Sequence, residues 1–568
     1  MSVALHADGL SFRYRGTDER QLDDVSFRIE TGERVAIMGA TGAGKTTLVM
    51  TFNGLIPHHH AGQMYGYLTS AGLDTVDHDV VDLVRHVGMV MQDPEAQITG
   101  RTAIDDATVG PANLGLPREE VFERAHRALD AVGLADLADR DTGQLSGGQQ
   151  QRLAIAGILA MEPEILVLDE PTSELDPDGT AHVFAVVEKV TDQPGQTAVL
   201  VEHEPELVAQ WASRLLVLHD GKLVHDGPPG QFFADPVRSR EARLRPPQVV
   251  SVCCALQDRG VLQQGEVAVT VDEGVDLLRD RVPHGARAHG RATSATRPDP
   301  SVPVAVNARG VSHRYPSGVQ ALSDVDLAVH EGEFVALLGR NGAGKTTFAR
   351  HLNGLLRPTV GELLVNDRPT AGRKVSELAT EVGYVFQNPD HQIFAASVRD
   401  EVAFGLRNAG VAADQAEAKV EEVLELVGMR EHIDDHPFRL GKGQRQRLAV
   451  ASVLALEPQV LVVDEPTTGQ DWHGSVAIME LIRELNEAGR TIVMITHDMP
   501  LVAAYAHRAV VFDAGRLIAD LPVPELFAAE DVLAKAQLSA PQVTRLAKAL
   551  GLPPVTTVDA FAELWDVA

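Results

Sequence analysis

The chain has 568 residues, too many for a single hydrophobic core, so we expect several domains. Hydrophobic residues make up 44% and charged residues 23% of the chain, as is ordinary for a soluble globular protein. Its 80 acidic and 50 basic residues give a formal net charge of −30, which argues against a nucleic-acid partner because phosphate backbones favour basic surfaces.

Targeting signals and cysteines indicate a cytoplasmic protein. Residues 1–8 carry neither the basic nor the apolar segment of a signal peptide, and no apolar run approaches the ~18 residues that a spanning helix needs. Cys253 and Cys254 are adjacent, and we interpret them as core residues in a reducing compartment. Any role at a membrane would then require a membrane partner.

The first predicted elements are strands that lead to a glycine-rich loop. Alternating apolar and polar residues at 9–14 and 22–29 predict antiparallel strands, and the apolar run 35–38 predicts a third strand. Tyr14 ends the first of these strands, and Tyr315 occupies the corresponding place in a later copy. Either ring could stack on an adenine base or be a half-buried strand tyrosine, and the sequence leaves both interpretations open.

The loop after the third strand reads G-x-x-x-x-G-K-[ST] and precedes a predicted helix, which is the context of a phosphate-binding loop. Its glycines let backbone N–H groups surround phosphates, and the helix N-terminus adds a partial positive charge. Lys45 would reach the β- and γ-phosphates, and the Thr46 hydroxyl would bind Mg²⁺. The predicted ATP-binding residues of this loop are Gly39, Thr41, Gly42, Gly44, Lys45, Thr46 and Thr47.

A glutamine and a second glycine-rich motif come next. A predicted strand at 87–91 ends in Gln92, and a predicted helix covers 118–132. The sequence L-S-G-G-Q at 145–149 then runs directly into another predicted helix, which makes it a second N-terminal anion site. Its predicted ATP-binding residues are Ser146, Gly147, Gly148 and Gln149.

Two further strands deliver acidic residues and a histidine. The apolar strand at 165–168 ends in Asp169 and Glu170. Burying two adjacent carboxylates is costly unless a cation or ligand compensates, so this pair indicates a functional site. The strand at 198–202 delivers His203, which by itself would more often be structural.

All of these motifs return in the same order about 300 residues later, which predicts two copies of one domain. The recurrence also favours a functional role for each histidine. The predicted site residues of the second copy are Gly339, Asn341, Gly342, Gly344, Lys345, Thr346, Thr347, Gln387, Gly441, Lys442, Gly443, Gln444, Asp464, Glu465 and His497.

A smaller repeat follows each copy, because L-R-P-P-Q at 244–248 is echoed by L-S-A-P-Q at 538–542. We expect a short, mainly helical appendage after each domain, and a flexible linker rich in Arg, Gly, Ala and Pro between the halves. The predicted boundaries are 1–235 for the first ATPase domain, 236–282 for its appendage, 283–302 for the linker, 303–530 for the second ATPase domain and 531–568 for its appendage.

This order of motifs resembles the ATP-binding cassette (ABC) ATPases over nearly the whole chain, twice. The resemblance implies an α/β fold with two tandem P-loop ABC ATPase domains, each with a RecA-like core, an antiparallel β subdomain and a helical subdomain. It implies that two cassettes pair head to tail within the chain, with ATP between the phosphate loop of one and the signature of the other. The chemistry would be positioning and charge stabilisation for phosphoryl transfer to water.

The resemblance also implies a role for each motif residue in both copies. Thr46, Asp169 and Gln92 would hold Mg²⁺ in the first copy, and Thr346, Asp464 and Gln387 in the second. Glu170 and Glu465 would be general bases, His203 and His497 would contact the γ-phosphate, and Gln92 and Gln387 would link the site to a membrane partner. Asp176 and Asp471 resemble the aspartates that communicate across the cassette interface.

Within this family, the sequences Q-N-P-D-H-Q-I-F at 387–394 and V-R-D-E-V-A-F-G at 398–405 resemble the ATPases of energy-coupling factor (ECF) importers. Q-D-P-E-A-Q-I at 92–98 and G-P-A-N-L-G-L at 110–116 point the same way. Such ATPases act on the cytoplasmic face of the cell membrane, bound peripherally to an integral T component and a small substrate-binding S component. They drive uptake of a vitamin or a transition-metal ion, and here two of them look fused.

The second signature departs from the family pattern. It reads L-G-K-G-Q, so Gly441 lacks the hydroxyl that would donate to the γ-phosphate and Lys442 adds a cation. This signature should complete the site built on Lys45, whereas the intact Ser146 signature should complete the site built on Lys345. We therefore predict unequal sites, with the Lys345 site hydrolysing faster. The alternative is that Lys442 compensates and the sites are equivalent.

Other double-cassette proteins remain competing hypotheses. A non-transport ATPase, either a ribosome-acting ABC-F factor or a DNA-repair type, would share the motifs. ABC-F proteins carry a long charged helical linker, and repair relatives carry zinc-type cysteine clusters, neither of which fits this sequence. An exporter ATPase is weakened by the Q-x-P-x-x-Q-I motifs.

Overall fold

A computed structural model describes residues 2–172, 175, 177–192, 195–283, 301–468, 470 and 472–566. Residues Met1–Cys254 with Leu262–Gly274 form one compact unit, and Ala255–Val261 with Val275–Ala568 form another. Most of the predicted linker at 283–302 lies outside the described residues, as do Asp176 and Asp471. No helix of the described ranges is long and apolar enough to span a membrane.

The first half of the chain contains two sheets. An antiparallel sheet has the strand order β2-β1-β4-β5, and a six-stranded sheet has the order β10-β9-β3-β8-β7-β6, parallel except for β10. The strands are β1 Val3–Tyr14, β2 Leu22–Glu30, β3 Arg34–Met38, β4 Gly62–Ser70, β5 Leu73–Asp74, β6 Val87–Val90, β7 Ile165–Asp169, β8 Thr197–Val201, β9 Arg214–His219 and β10 Lys222–Gly227.

Helices surround the six-stranded sheet and form the end of this half. They are α1 Lys45–Phe52, α2 Leu55–His58, α3 Val80–Leu83, α4 Pro94–Gln97, α5 Ala103–Asn113, α6 Arg118–Ala131, α7 Gly147–Leu159, α8 Pro177–Thr191, α9 Pro205–Trp211, α10 Pro229–Phe233, α11 Pro236–Glu241, α12 Gln248–Asp258 and α13 Val271–Leu278. Short 3₁₀ turns cover Ala135–Leu137, Thr142–Gln144 and Arg279–Arg281.

The second half repeats both sheets, in the orders β12-β11-β14-β15 and β16-β17-β18-β13-β19-β20. Its strands are β11 Val304–Arg314, β12 Gln320–His330, β13 Phe334–Leu338, β14 Val360–Val365, β15 Arg368–Pro369, β16 Val382–Val385, β17 Val460–Asp464, β18 Thr491–Ile495, β19 Arg508–Asp513 and β20 Arg516–Pro522.

Its helices are α14 Lys345–Leu352, α15 Val375–Leu378, α16 Val398–Asn408, α17 Ala413–Leu426, α18 Lys442–Leu454, α19 Trp472–Glu487, α20 Met499–Tyr505, α21 Val523–Ala528, α22 Glu530–Ala536, α23 Gln542–Ala549 and α24 Val558–Glu563. Short 3₁₀ turns cover Pro389–His391, Arg430–His432 and Pro437–Arg439. Within this described part, the range predicted as the second appendage contains nearly all of α22 together with α23 and α24, and the range predicted as the first contains α11 to α13; the boundaries themselves stay a prediction.

The parallel strands explain why the motifs converge. β7 and β8 are buried along their whole length, because helices cover both faces of a parallel sheet. Asp169 lies opposite Val201 in the register, and Ile37 pairs with Val201 from the other side. The carboxyl ends of β3, β7 and β8 therefore meet at one edge, where ligands bind in open α/β sheets.

Candidate active site

The phosphate-binding loop between β3 and α1 holds its lysine inside the protein. Lys45 is 5% exposed, and its Nζ donates to the carbonyl oxygens of Gly39 at 2.9 Å and Ala40 at 3.2 Å. Burial lowers the pKa of Lys45, and nearby carboxylates, first among them Glu170, oppose this shift. The Lys45 ammonium group is therefore positioned in the loop to bind a phosphate group.

The second loop repeats this arrangement. Lys345 Nζ donates to Gly339 O at 2.6 Å and to Arg340 O at 2.9 Å. Gly344 has a φ of 106°, and a Cβ there would lie 2.7 Å from the carbonyl oxygen of Ala321, so only glycine fits. The other predicted residues of the two loops lie in the same turns or at the helix starts: Thr41, Gly42, Gly44, Thr46, Thr47, Asn341, Gly342, Thr346 and Thr347.

The end of β7 supplies oxygen ligands suited to a hard cation. Asp169 is 2% exposed, and its side chain is hydrogen-bonded to Thr46, while its Oδ1 is buried with no hydrogen-bond partner among the described residues. Burial is the main cause that raises the pKa of Asp169 to about 6. A buried, unpartnered carboxylate oxygen beside a hydroxyl fits Mg²⁺, which prefers such ligands.

The corresponding aspartate in the second copy is more fully bonded. Asp464 Oδ2 accepts a hydrogen bond from Tyr384 Oη at 2.8 Å, and its side chain also bonds Thr346. Burial is the first cause that raises the pKa of both Asp464 and Tyr384. Tyr384 is not among the site residues predicted from the sequence, although the equivalent residue in the first copy, Met89, differs from it.

Three predicted catalytic residues of the first copy come together. Glu170 Oε2 accepts a hydrogen bond from Gln92 Nε2 at 2.8 Å, and Glu170 Oε1 lies 2.5 Å from His203 Nε2. The same oxygen lies 3.9 Å from Lys45 Nζ. Glu170 has a φ of 48°, an uncommon backbone conformation for a non-glycine residue and one that often marks a functional site.

The second copy assembles the cluster only in part. Glu465 has the same φ of 48°, and its Oε1 lies 2.9 Å from His497 Nδ1. His497 therefore faces its glutamate with Nδ1, whereas His203 faces Glu170 with Nε2. Gln387 follows β16 on the surface, and in the described structure no hydrogen bond joins it to Glu465. The two copies thus differ in the surroundings of the predicted general base.

A buried glutamate that sequence reasoning missed lies next to His203. Glu202 is 3% exposed, and it accepts hydrogen bonds from the Thr172 hydroxyl at 2.5 Å and from the backbone N–H groups of His203 at 2.7 Å and Glu204 at 3.3 Å. Burial raises the pKa of Glu202. The available signal was an acidic residue at the end of an apolar strand where the second copy has Thr496.

The signature motifs differ at the helix start. Ser146 caps α7, because its Oγ accepts from Gln149 N at 3.4 Å and its N–H donates to Gln149 Oε1 at 2.9 Å. Gly441 retains only the backbone half of this arrangement, a 3.0 Å bond to Gln444 Oε1. Lys442 is exposed. The remaining signature glycines, Gly147, Gly148 and Gly443, lie in the first turns of α7 and α18.

The two predicted stacking tyrosines are half-buried and tied to the phosphate-loop helices. The hydroxyl of Tyr14 lies 3.1 Å from Thr47 Oγ1, and that of Tyr315 lies 3.2 Å from Thr347 Oγ1. The ring of Tyr14 packs edge-on against Phe12 at 4.9 Å. Stacking on adenine stays a prediction.

The fold and these clusters define a P-loop nucleotide-binding protein with two similar domains. The family model described as "ABC transporter" matches residues 22–173 and 322–468. The chain therefore belongs to the ABC transporter family, and it carries two ATP-binding cassettes in one polypeptide. This confirms the predicted fold class and ATPase activity.

Relatives at 30% identity or more agree with this family. Two relatives bear the name "Putative ABC transporter ATP-binding protein". One, from Caldanaerobacter subterraneus subsp. tengcongensis, is 38% identical over 546 residues, which is 95% of each chain. The other, from Methanosarcina mazei, is 39% identical over 546 residues, covering 95% of this chain and 92% of the relative. The structure of cbiO1 from Clostridium perfringens, described as part of the ABC transporter complex cbiONQ, is 34% identical with a TM-score of 0.39, over 43% of this chain and 99% of its own.

Proposed function

We propose that the chain is the ATP-hydrolysing subunit of a membrane import complex of ECF type. ATP binding and hydrolysis at two head-to-tail composite sites would drive uptake of a vitamin or a transition-metal ion through a T component and a small S component. The protein would lie on the cytoplasmic face of the cell membrane, bound peripherally through these partners. The observation that carries this proposal is an exposed aromatic pair beside the second glutamine loop.

In each proposed site the chain's own residues divide the work. The loop lysines Lys45 and Lys345 bind the phosphates, and Glu170 and Glu465 accept the proton of the attacking water. Mg²⁺ would neutralise charge on the phosphate oxygens, held by Thr46, Asp169 and Gln92 in one site and by Thr346, Asp464 and Gln387 in the other. The histidines orient the glutamates, which they contact directly.

Binding of ATP with Mg²⁺ at the first loop is expected to weaken as the pH falls below about 6, because burial raises the pKa of Asp169 to about 6. A protonated carboxyl group cannot ligate the cation, so each further pH unit should cost about tenfold in Mg²⁺-dependent affinity. Above the pKa the carboxylate is ionised and the affinity should level off.

The measurement is ATP titration with and without Mg²⁺, from about pH 5 to about pH 8, in a Lys345→Ala chain in which the first loop is the competent one. Asp169→Asn should abolish the Mg²⁺-dependent part of the pH response. A pH response of equal size in the absence of Mg²⁺ would contradict the assignment.

The exposed aromatic pair consists of Phe394 and Phe404. Phe394 is 61% and Phe404 is 42% exposed, and their rings meet edge to face with centroids 4.7 Å apart. Two large apolar rings in contact with each other and with solvent favour a surface that a partner covers. Phe394 lies in the loop that follows Gln387 and Phe404 lies on α16, and the resemblance implies that the membrane subunit contacts this region.

The loop that presents this pair is fixed from below. Glu401 on α16 is 4% exposed, and its Oε2 accepts the backbone N–H groups of Phe394 at 3.0 Å and Ala395 at 2.8 Å. Asp106 plays the same part in the first copy, where it accepts from Thr99 and Gly100 at 2.8 Å each. A pre-organised loop loses little conformational entropy when a partner binds.

The same loop is tied to the signature helix. Gln392 Nε2 donates to Ala449 O at 2.9 Å and to Ser452 Oγ at 3.1 Å, both on α18. Asp390 pairs with Arg445 of the same helix at 2.6 Å. A change at the signature would therefore be transmitted to the aromatic pair through a few direct contacts.

The proposal is tested by purifying the tagged chain from its native host in mild detergent and identifying bound proteins by mass spectrometry. We expect a pair of integral membrane proteins, one of them small, and the small one would lead to the substrate. Ribosomal proteins or DNA-repair factors without any membrane protein would contradict it and would favour the non-transport alternative.

Substituting serine for Phe394 and Phe404 together is expected to lower recovery of the membrane proteins about tenfold, because aromatic anchors dominate interface energy. The purified variant should still hydrolyse ATP, since neither ring belongs to the catalytic clusters. Val319→Ser, at a residue that is 60% exposed in the turn between β11 and β12, is the matched control and should leave recovery unchanged. Equal loss in both variants would show that the aromatic pair is not the contact.

A further inference from the structure

Glu202 lies where an ionisable residue is costly. It follows β8 directly, is 3% exposed, and has no cation among the three groups that donate to it. Burying a carboxylate in this way is tolerated only when hydrogen bonds satisfy its oxygens, as they do here. The cost indicates that the residue has a task beyond filling the strand end.

The fold itself does not require the carboxylate. In the second copy Thr496 occupies the equivalent place after β18, is 2% exposed, and accepts a hydrogen bond from Asp498 N at 3.1 Å. Both strands are wholly buried, and the aspartate that ends the neighbouring strand pairs in the same register in both copies, Asp169 with Val201 and Asp464 with Ile495. A threonine is therefore sufficient for the strand end to form.

The hydrogen bonds of Glu202 join two catalytic loops. One oxygen accepts from the hydroxyl of Thr172, two residues after Glu170, and the other accepts from the backbone of His203. The side chains of Glu170 and His203 meet at 2.5 Å across the same gap. Glu202 thus links the side chain of Thr172 to the backbone of His203, next to the contact between Glu170 and His203.

The second copy lacks this bridge. Thr467 corresponds to Thr172, and among the residues that the structure describes no hydrogen bond joins it to Thr496. There His497 turns Nδ1 toward Glu465 at 2.9 Å, whereas His203 turns Nε2 toward Glu170 at 2.5 Å. The orientation of the imidazole differs together with the residue that precedes it.

We infer that Glu202 is a positioning residue, which clamps the loop after Glu170 to the loop of His203 and thereby sets the imidazole against the catalytic carboxylate in the first cassette. The inference rests on the proposed catalytic roles of Glu170 and His203, and it does not depend on transport. The first cassette would then contain a clamping glutamate that the second cassette lacks.

The expected consequence is a loss of turnover without a comparable loss of ATP binding. Displacing a catalytic group by about 1 Å can lower the rate between about tenfold and about 100-fold. Glu202→Thr, which installs the residue of the second copy, should therefore lower kcat of the first site about tenfold and change KM less than about twofold. Glu202→Gln retains an oxygen for the backbone N–H of His203 and should recover at least about half of kcat.

The experiment measures the release of radiolabelled phosphate by the full chain. The chain carries Glu465→Gln, so that the first site supplies most of the remaining turnover. Adding Glu170→Gln first checks the proposed general base, and an unchanged rate there would overturn the catalytic assignment rather than the clamp. Thr496→Val, in a chain with Glu170→Gln, is the matched control for the second site and should change kcat less than about twofold.

Three results would support the clamp: a kcat loss in Glu202→Thr, recovery in Glu202→Gln, and little change in Thr496→Val. The clamp would be overturned if Glu170→Gln lowers the rate but Glu202→Thr leaves kcat unchanged. It would also be overturned by a Glu202→Thr variant whose KM rises as much as its kcat falls, or by a Glu202→Gln variant that fails as severely as threonine.

Discussion

Glu465→Gln is expected to remove at least about nine-tenths of the steady-state ATP turnover, whereas Glu170→Gln should remove less than about a third. In the proposed head-to-tail pairing, the site of Glu465 is completed by a signature whose Ser146 hydroxyl donates to the γ-phosphate. In the same proposed pairing, the site of Glu170 would be completed by Gly441, which has no side chain to donate. The first substitution therefore disables the faster site.

The size of the difference follows from the missing hydrogen bond. A bond to a charged acceptor contributes about 1.5–3 kcal/mol, which corresponds to about tenfold to about 100-fold in rate when it acts in the transition state. Loss of a general base costs about 100-fold or more at its own site. Each glutamine variant should therefore report the activity of the opposite site almost alone.

Phosphate release by the purified full chain provides the measurement, with ATP saturating for every variant. Glu331→Gln is the control for a surface charge change. Glu331 is exposed and precedes β13, at the end of that strand opposite the phosphate-binding loop. If Glu170→Gln abolished turnover while Glu465→Gln left it intact, the proposed order of the sites would be wrong. Equal losses would favour compensation by Lys442.

Residues fixed by backbone register were predictable from the sequence. Asp169 and His203 follow apolar strands that are parallel neighbours, so their arrival at one edge of a sheet needed no knowledge of side-chain packing. The antiparallel pairing of β1 with β2 and the helix at Arg118–Ala131 were also predicted from periodicity and are confirmed. Strand ends and helix faces are local properties, which a sequence pattern records directly.

Side-chain partners were harder to predict, because they depend on contacts between distant segments. Nothing near Glu202 in the sequence indicates that Thr172 donates to it. The two glutamine loops are similar in sequence, yet Gln92 bonds its glutamate and Gln387 does not bond Glu465 in the described structure. Tyr384 reaches Asp464 from a neighbouring strand, and a tyrosine in an apolar strand is by itself an ordinary core residue.

Restoring the second signature is expected to raise turnover at the first site about tenfold, because Gly441→Ser returns a hydroxyl donor and Lys442→Gly removes the added cation. The double substitution is made in a Glu465→Gln chain, in which the first site supplies most of the remaining turnover. Its effect on the fold should be small. Serine and glycine differ by only a few tenths of a kcal/mol as helix caps, so thermal unfolding should stay nearly unchanged.

The reciprocal change provides the control that separates catalysis from capping. Ser146→Gly removes the hydroxyl from the first signature, and it should lower total turnover about tenfold at a similarly small cost in stability. A gain in one variant and a loss in the other, with unchanged unfolding temperatures, can arise only if the hydroxyl acts on the reaction rather than on α7 or α18. If the restored signature left turnover unchanged while Ser146→Gly still reduced it, Lys442 would have to perform the task of the missing hydroxyl. The two sites would then be equivalent by different chemistry.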